Sequence, residues 1–277
     1  MKKVLVVGEN SYIGKSFAQF CCKKFDCSFI SLRGDDWKKA ELKSFDAVLF
    51  ATGLAHIKES KENENLYFEV NRDLSFAFVK MAKTQGISQF VFLSSMSVYG
   101  KIEGEIHKET ELMPNTYYGK SKLEAEKLIL SLQDKNFGVC IVRPPMVYGK
   151  NCKGNFQSLI KIAKKLPFFP KIKNQRSMIY IDNLSCFLEK MIENSESGIF
   201  CPQNKDYVNT AKMIDLIAVN NGKKICLLSV LNPFIKFGSL FFKQIKKAFG
   251  NLTYSKDLSE YKENYNICEF EKSIDKS

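Results

Sequence analysis

The sequence predicts an α/β protein with a doubly wound parallel sheet, because short apolar segments alternate with helical patterns along its first half. The apolar, β-branched segments lie at residues 3–7, 28–32, 47–51, 90–94 and 139–143. Helical patterns lie between most of them, at residues 14–25, 65–85 and 117–134. Strands that are apolar on both faces and alternate with helices are typical of a parallel sheet covered on both sides.

The pattern departs from this alternation in two places. Residues 33–45 are too few for a full crossover helix. Beyond about residue 150 the alternation gives way to helices and short strands, with a loop predicted at residues 168–174. We therefore predict a nucleotide-binding domain over residues 1–150 and a smaller, partly interleaved substrate-binding lobe over residues 151–277.

Length and composition are those of a globular protein with a substantial core. The chain has 277 residues, of which 45% are hydrophobic and 26% charged, and both fractions are ordinary for soluble domains. No apolar stretch approaches the roughly 20 residues that span a bilayer, and no secretory signal precedes the first strand. We therefore expect a cytoplasmic protein without a transmembrane segment, with a homodimer as a candidate assembly.

The residues that bind transition metals are sparse or badly spaced. The nine cysteines form no paired CxxC framework, and the two histidines, His56 and His107, lie far apart in the sequence. A metal site is therefore not predicted. His56, which follows a predicted strand, is interpreted as a loop histidine.

The positive charge is concentrated in the second lobe. Residues 1–149 carry 21 basic and 18 acidic side chains, residues 150–250 carry 17 and 6, and the remaining residues carry 4 and 6. Four interpretations are open: a solvated lysine-rich surface, a nucleic-acid face, a membrane-facing surface, or a site for a multiply charged anion. No aromatic–basic interleaving or nucleic-acid motif is present, so a nucleic-acid partner is not expected.

Directly after the first predicted strand, residues 8–14 (GENSYIG) predict a phosphate-binding turn of the Rossmann type. Gly8 ends the strand where a tight turn needs a positive φ, and Gly14 lies where the next helix must press against the sheet. Ser11 replaces the middle glycine, but it is small and its hydroxyl can donate to a phosphate oxygen. A plain strand–helix turn is the alternative. The predicted cofactor contacts here are Gly8, Asn10, Ser11, Tyr12, Ile13 and Gly14.

The end of the second predicted strand bears on the choice between NAD and NADP. An acidic residue normally binds the ribose hydroxyls there, but the place falls on Ser31 or Leu32 and Arg33 follows. A missing carboxylate beside a guanidinium suits a 2′-phosphate, so Ser31 and Arg33 favour NADP slightly. Alternatively, Asp35 or Asp36 binds the ribose or adenine of NAD.

Residues 115–128 (NTYYGKSKLEAEKL) contain the strongest catalytic motif. Tyr118 and Lys122 are four residues apart and therefore share a helix face. A lysine at this position is expected to lower the pKa of the tyrosine and to bind a ribose hydroxyl. Ser95 follows the fourth predicted strand and can hydrogen-bond the same substrate oxygen as Tyr118. Together the three residues predict acid–base chemistry that interconverts a carbinol and a carbonyl.

With these motifs the chain resembles the extended short-chain dehydrogenase/reductases, also described as NAD-dependent epimerases/dehydratases. The first turn resembles their GxxGxxG element, with Ser11 as the departure. Residues 94–100 (SSMSVYG) and 117–122 (YYGKSK) are similar to their serine and YxxxK elements. The resemblance implies Ser95, Tyr118 and Lys122 as the catalytic set, with the neighbouring Tyr117 as the less suitable base.

The resemblance also implies cofactor contacts on later segments. Residues 51–56 (ATGLAH) are similar to the turn after the third cofactor strand, and Asn71 to an asparagine on the following helix. Residues 141–149 (IVRPPMVYG) resemble the segment that lines the nicotinamide. The implied contacts are Ala51, Thr52, Gly53, Asn71, Tyr118 and Lys122.

For the substrate, the resemblance implies a nucleotide diphosphate bound by the basic lobe. Residues 174–184 (NQRSMIYIDNL) are similar to a segment whose arginine, here Arg176, contacts the substrate diphosphate. Ser95 would contact the sugar. Residues 252–275 resemble the closing helices of these enzymes.

The implied reaction is hydride transfer at carbon 4 of a nucleotide-linked sugar. Dehydratases of the family follow the serine or threonine with Asp-Glu, whereas Met96 and Ser97 stand here, which disfavours a dehydratase. The favoured interpretation is an NAD(P)-dependent epimerase of a UDP-sugar, UDP-N-acetyl-hexosamine above all, in the synthesis of surface polysaccharide precursors. The alternatives are an NADPH-dependent 4-keto reductase of a UDP-linked deoxy sugar and a non-catalytic NAD(P)-sensing module.

A phenylalanine-rich segment, residues 232–250, remains outside these motifs. Its apolar side chains are predicted to pack on their own lobe. The alternative is contact with a membrane, with the lysines of the segment on a polar face.

Overall fold

The computed structural model describes residues 1–55, 57, 59–152 and 154–277, and of residues 243 and 244 it describes the backbone alone. The predicted loop histidine, His56, lies outside the described residues. The strands, in chain order, are β1 (Lys2–Val7), β2 (Phe25–Ile30), β3 (Ala47–Phe50), β4 (Gln89–Leu93), β5 (Gly104–Ile106), β6 (Gly138–Val142), β7 (Met146–Tyr148), β8 (Phe168–Pro170), β9 (Met178–Tyr180), β10 (Gly198–Phe200), β11 (Cys226–Leu228) and β12 (Leu252–Tyr254). The α-helices are α1 (Tyr12–Phe20), α2 (Glu64–Phe68), α3 (Leu74–Thr84), α4 (Tyr117–Leu130), α5 (Asn155–Lys165), α6 (Ile181–Glu193), α7 (Thr210–Asn220), α8 (Asn232–Phe241), α9 (Lys243–Phe249) and α10 (Phe270–Asp275).

Six strands form one parallel sheet in the order β10-β6-β4-β3-β1-β2. From β1 the chain runs to β2 on one side, and from β3 onward it runs to the other side. The order therefore reverses between β1 and β3, and ligands of such sheets bind at the carboxyl ends beside this point. The predicted Rossmann-type fold class is confirmed.

Apolar side chains cover both faces of the sheet. On one face, Val6 packs with Phe17 of α1 and Leu184 of α6. On the other face, Phe50 packs with Phe78 of α3 in a separate cluster. Burying a side chain of this size contributes about 1.5–3 kcal/mol, so the two clusters hold the strand ends that carry the site in fixed positions.

Three predicted elements of the first half differ in the structure. The second strand begins at Phe25 and ends at Ile30, and as an edge strand it is half exposed rather than covered on both faces. The first helix ends at Phe20, before residue 25. The predicted helix over residues 65–85 is interrupted by a π-helical turn at Glu69–Asp73.

The segment at residues 33–45 forms a short 3-10 turn at Asp36–Lys39 and no crossover helix, as predicted. Two predictions for the second half are wrong. The loop predicted at residues 168–174 begins with β8, which pairs in parallel with β11. Residues 252–275 contain β12, a 3-10 turn and the short α10 rather than a set of closing helices, because β12 pairs with β5.

Elements beyond residue 150 also contribute to the main sheet. Helix α6 packs against α1, and β10 adds the sixth strand beside β6. Helices α5 and α7 instead pack over a third apolar cluster that includes Phe156 and Ile214. The domain boundary near residue 150 stays a prediction. Among the described residues, no helix combines the length and apolar character that crossing a bilayer requires.

Candidate active site

The glycine turn has the backbone shape that a diphosphate site requires. Gly8 has a φ of +109°, and a Cβ there would lie 3.1 Å from the Cβ of Thr52. At Gly14 a Cβ would lie 2.9 Å from Val6, so the glycine allows α1 to press against the sheet. Ser11 caps α1, because its Oγ accepts from the Gly14 N–H at 3.2 Å. The hydroxyl proton of Ser11 is then still available to a phosphate oxygen.

The other predicted residues of this turn differ in which of their groups can contact an anionic ligand. The side chains of Tyr12 and Ile13 pack against the third apolar cluster. Only their backbone N–H groups, which find no acceptor in the described part of the chain, can face an anion at the start of α1. The Asn10 side chain is exposed and donates to Glu9 at 3.3 Å. The turn and the helix terminus together fit a pyrophosphate.

The residues that would distinguish NAD from NADP lie directly beyond β2. The Oγ of Ser31 accepts from the backbone N–H of Arg33 at 3.3 Å, and the Arg33 side chain is exposed. Asp35 is exposed and forms an ion pair with Lys38 at 2.7 Å. Asp36 is exposed as well and begins the 3-10 turn. The strand therefore presents a hydroxyl and a guanidinium nearest to its end, with the carboxylates further along the chain.

The turn after β3 is fixed by Asn71. Asn71 is fully buried; its Oδ1 accepts from the Leu54 N–H at 2.7 Å, and its Nδ2 donates to the Leu54 carbonyl and to Ser121 of α4. A Cβ at Gly53 would lie 3.1 Å from Asn71 Oδ1 and 3.2 Å from Lys122 Nζ. Asn71 therefore positions the Ala51–Leu54 turn against α4, and Gly53 leaves room for the lysine.

Ser95 and Tyr118 are brought together by a close approach of α4 to the end of β4. The Met96 N–H donates to the Pro144 carbonyl at 3.0 Å, which fixes the backbone directly after Ser95. A Cβ at Gly119 would lie only 2.6 Å from the Ser97 carbonyl oxygen, so this approach requires glycine. The Ser95 Oγ donates to the Ser97 Oγ and accepts from the Ser97 N–H, both at 3.1 Å. It lies near enough to the Tyr118 hydroxyl to act on the pKa of that group.

The electrostatics of Tyr118 differ from the prediction. Burial raises the pKa of Tyr118, and the hydrogen bond from Ser95 acts in the opposite direction. Lys122 was expected to lower this pKa, and that expectation is wrong in this structure. The reason is geometric: the Lys122 Nζ donates to the Leu93 carbonyl at 2.9 Å and lies 4.4 Å from the centre of the Phe92 ring.

Lys122 is itself strongly perturbed. Its side chain is 3% exposed. Burial lowers the pKa of the Lys122 ammonium to about 7, and the nearby negative charge of Glu126 opposes part of this effect. A lysine with a pKa this close to neutrality changes its charge easily, which is typical of functional sites.

A buried polar network next to Lys122 was not identified from the sequence. The Arg143 guanidinium donates two hydrogen bonds to Glu126, at 3.0 and 2.6 Å, and a third to Tyr99 Oη at 2.9 Å. Glu126 and Arg143 are 1% and 5% exposed. Glu126 lies one turn after Lys122, and Arg143 directly follows β6. Both positions are next to buried elements, and buried charges are normally paired. The sequence positions of Glu126 and Arg143 could therefore have indicated that the two residues form an ion pair.

Arg176 lies within the predicted second lobe, and no described contact joins it to Ser95 or Tyr118. Its backbone bridges Val208 and Leu252, and its Nη1 donates to the Gly250 carbonyl at 3.0 Å. Burial lowers the pKa of the Arg176 guanidinium. No carboxylate lies within ion-pair distance of it in the part of the chain that the structure describes. A half-buried cation without a counter-charge among the described residues is suited to an anionic ligand.

Arg176 is connected to the buried network of Arg143 and Tyr99 through β12. Leu252 and Tyr254 lie on this strand, and the ring of Tyr254 packs edge-on against Tyr99 at 6.0 Å. The Tyr254 hydroxyl donates to the Arg143 carbonyl at 2.9 Å. Among the described residues, no group of histidine, cysteine or acidic side chains has the arrangement of a metal site.

Comparison with known proteins agrees with this geometry. UDP-glucose 4-epimerase from Vibrio cholerae is 33% identical over 214 residues, which are 73% of this chain and 65% of that protein, just under two thirds of its length. N-acetyl-alpha-D-glucosaminyl-diphospho-ditrans,octacis-undecaprenol 4-epimerase from Escherichia coli O157:H7 is 23% identical over 89% of this chain and 81% of its own length. The solved structure of UDP-glucuronic acid 4-epimerase from Bacillus cereus in complex with NAD has a TM-score of 0.76 and 18% identity. This similarity covers 99% of this chain and 96% of that one, and it shows the fold alone.

The model of the NAD dependent epimerase/dehydratase family matches residues 4–201, which include the glycine turn, Ser95, Tyr118 and Lys122. The chain therefore belongs to this family and is an NAD(P)-dependent enzyme of the extended short-chain dehydrogenase/reductase type.

Proposed function

We propose that this protein is a nucleotide-sugar 4-epimerase that acts on UDP-N-acetyl-hexosamine in the synthesis of surface polysaccharide precursors. The observation that carries the proposal is the close approach of α4 to the segment after β4, which places Tyr118 beside Ser95, with Lys122 one turn further along α4. Such a pair is suited to moving a proton on and off one substrate oxygen.

A nicotinamide cofactor would supply the acceptor and donor of hydride for epimerisation at carbon 4 of the sugar. Tyr118, as the phenolate, would take the proton of the carbon 4 hydroxyl when that carbon is oxidised and would return it when the carbonyl is reduced. Ser95 hydrogen-bonds the same oxygen in both steps. Lys122, whose Nζ lies beside Gly53, would hold the ribose of the cofactor, and Asn71 keeps this turn in place.

The Rossmann half supplies the proposed cofactor contacts. Gly8, Ser11 and Gly14, with the N–H groups of Tyr12 and Ile13, would hold the pyrophosphate. The remaining contacts would come from Asn10, Ala51, Thr52, Gly53 and Asn71.

The second lobe supplies the proposed substrate contact. Arg176 would pair with the substrate diphosphate, because its guanidinium is half-buried and has only the Gly250 carbonyl as a partner among the described residues. Both curated relatives are 4-epimerases of diphosphate-linked sugars by name, and one acts on an N-acetylglucosaminyl group. The residues after Ser95 are Met96 and Ser97, neither of which can serve as the acid of a dehydratase.

The cofactor preference separates this function from an alternative. Ser31 and Arg33 lie at the end of β2 and favour a 2′-phosphate, which would suit an NADPH-dependent 4-keto reductase of a UDP-linked deoxy sugar. A self-contained epimerase instead retains its cofactor and needs no second redox partner. A sensing module without catalysis has no use for the Ser95–Tyr118 pair, which argues against that alternative.

The test is conversion of UDP-N-acetylglucosamine to its 4-epimer by purified protein, followed by chromatography without added reductant. We expect interconversion, and we expect Tyr118→Phe to lose about 10²–10⁴-fold in turnover, since positioned proton transfer contributes that much. Tyr117→Phe is the matched control, because it alters the adjacent tyrosine at the start of the same helix.

Three outcomes would count against the proposal. Near-normal turnover by Tyr118→Phe would exclude Tyr118 as the acid–base group. Consumption of NADPH with a 4-keto sugar nucleotide, without epimerisation, would establish the reductase instead. Cofactor binding with neither reaction on any UDP-sugar tested would favour the sensing module.

A further inference from the structure

Helix α8 and the residue after it expose their largest apolar side chains. The exposed fractions are 72% for Phe234, 67% for Phe237, 77% for Leu240, 68% for Phe241 and 59% for Phe242. The prediction that this segment packs on its own lobe is therefore wrong for α8. Monomeric proteins rarely expose a contiguous apolar patch of this kind, and such patches mark interaction sites.

These side chains form one surface. Phe234, Phe237 and Phe241 are spaced to share one helix face, and the rings of Phe237 and Phe241 are 5.1 Å apart. Helix α9 packs against α8 at the edge of this face, because a Cβ at Gly238 would lie 2.9 Å from Ile245. The aromatic side chains nevertheless remain exposed. We call the exposed face of α8 with Phe242 the aromatic face.

The surroundings of the aromatic face are basic. Residues 216–256 contain no aspartate or glutamate. Lys236 and Lys247 are exposed on α8 and α9, and Lys171 is brought close because its carbonyl accepts from Asn232 Nδ2 at 2.9 Å. Lys246 forms an ion pair with Glu103 at 2.7 Å, and the other three lysines form no ion pair with any described residue.

We propose that the aromatic face docks on the surface of an anionic phospholipid bilayer. The phenylalanines would enter the boundary between headgroups and acyl chains, and the lysines would lie beside lipid phosphates. This combination of an apolar helix face and flanking lysines is what binds amphipathic helices to anionic membranes.

Charge favours a bilayer over a second copy of this chain as the occupant. A symmetric dimer through the aromatic face would bring the lysines of two copies together, and like charges across an interface are unfavourable. An anionic bilayer would instead neutralise the positive charges of these lysines. Docking also brings the lobe of Arg176 to the membrane, since α9 ends beside Gly250, the hydrogen-bond partner of that arginine. The relevance of that placement to the substrate rests on the proposed function, whereas the docking itself does not.

The test is flotation of the full chain with vesicles of phosphatidylcholine and phosphatidylglycerol, compared with vesicles of phosphatidylcholine alone. We expect binding to the anionic vesicles, weakened by salt because charge contributes to it. The double variant Phe237→Ser/Phe241→Ser should lower the partition coefficient at least about tenfold, since burial of one phenylalanine is worth about that factor. Phe29→Ser, on the exposed edge strand β2, is the matched control and should bind as the wild type does.

Three results would overturn the proposal. One is no flotation of the wild-type chain with anionic vesicles. Another is equal flotation of the double variant and the wild type. The third is a concentration-dependent dimer by light scattering that the double variant dissociates, with no vesicle binding, which would assign the aromatic face to a second copy. Epimerase activity towards a water-soluble UDP-sugar does not enter this test, so docking and the proposed function can fail independently.

Discussion

Replacing Lys122 with methionine should change how the stability of the protein depends on pH. Burial lowers the pKa of Lys122 from the ordinary 10.5 to about 7. The native state therefore holds this proton less tightly than the unfolded state, so the charged lysine destabilises the fold below pH 7. That penalty is relieved as the pH rises from about 7 towards 10.5. At 1.36 kcal/mol per pH unit, the full effect is about 5 kcal/mol.

Methionine keeps an unbranched apolar side chain but leaves the Leu93 carbonyl without its donor, which costs about 1–3 kcal/mol. At pH 6 we therefore expect Lys122→Met to be more stable than the wild type by about 2–4 kcal/mol. This advantage should shrink by about 1.4 kcal/mol per pH unit above neutrality and reverse near pH 9.

The assay is urea unfolding of both proteins between pH 6 and pH 9.5, with a reductant present because the described cysteines are free thiols. Lys120→Met, at an exposed position of the same helix, is the matched control and should show no comparable pH dependence. A stability difference between Lys122→Met and the wild type that stays constant across this range would refute the reasoning. It would mean that the lysine is solvated or paired in a way that the structure does not contain.

Three further changes test the remaining parts of the site. Gly119→Ala places a Cβ 2.6 Å from the Ser97 carbonyl; we expect a loss of about 1–3 kcal/mol in unfolding free energy with a fall in kcat, and normal stability and kcat would contradict the close approach. Arg176→Met should weaken UDP binding by about 1.5–3 kcal/mol in calorimetry, and unchanged affinity would remove Arg176 from the substrate site. Arg33→Ala should weaken NADPH binding while leaving NADH binding nearly unchanged; equal effects on both cofactors would show that Arg33 does not contact a 2′-phosphate.

The sheet and the family motifs could be predicted because they depend on local patterns. β1 is flanked by strands on both sides and covered on both faces, so its residues 4–7 are all apolar: Val4 and Val6 lie on one face, and Leu5 and Val7 lie on the other. Gly8 is required by its positive φ, and Gly14 by the approach of α1 to Val6. Each of these requirements is visible within one strand, one turn and one helix.

The bounds of the edge strand β2 were predicted less accurately than those of the central strands, because an edge strand does not need apolar residues on both faces. β2 pairs on one side only, and side chains such as Phe29 lie at its exposed face. Its burial pattern therefore does not show the continuous apolar run of the central strands. The short β8 and β12 were missed for a related reason, since three residues carry no periodicity and each strand forms only through a partner distant in sequence.

The ion pair and the shifted pKa next to the candidate site depend on tertiary contacts, which the spacing of residues in the sequence does not predict. Arg143 and Glu126 are 17 residues apart on different elements, and they pair only because α4 packs beside β6. The pKa of Lys122 depends on the same packing, because both its burial and the nearby charge of Glu126 come from tertiary structure. The sequence could identify Ser95, Tyr118 and Lys122 as candidates, but it could not show that the Lys122 Nζ donates to the Leu93 carbonyl.

The raised pKa of Tyr118 and the lowered pKa of Lys122 have one common cause. Loss of solvent opposes charge on each of them, so a phenol and a weakly basic amine are the favoured forms. A tyrosine in this state is ready to donate a proton, and it can accept one back only while Ser95 or another donor stabilises the phenolate. Any cation bound beside Tyr118 would move its pKa downward. If a bound cation lowers the pKa of Tyr118, then Tyr118 can remove a proton only when that cation is in place. Proton removal would then be limited to the complex of enzyme, cofactor and substrate, which is the property that an epimerase with a retained cofactor requires.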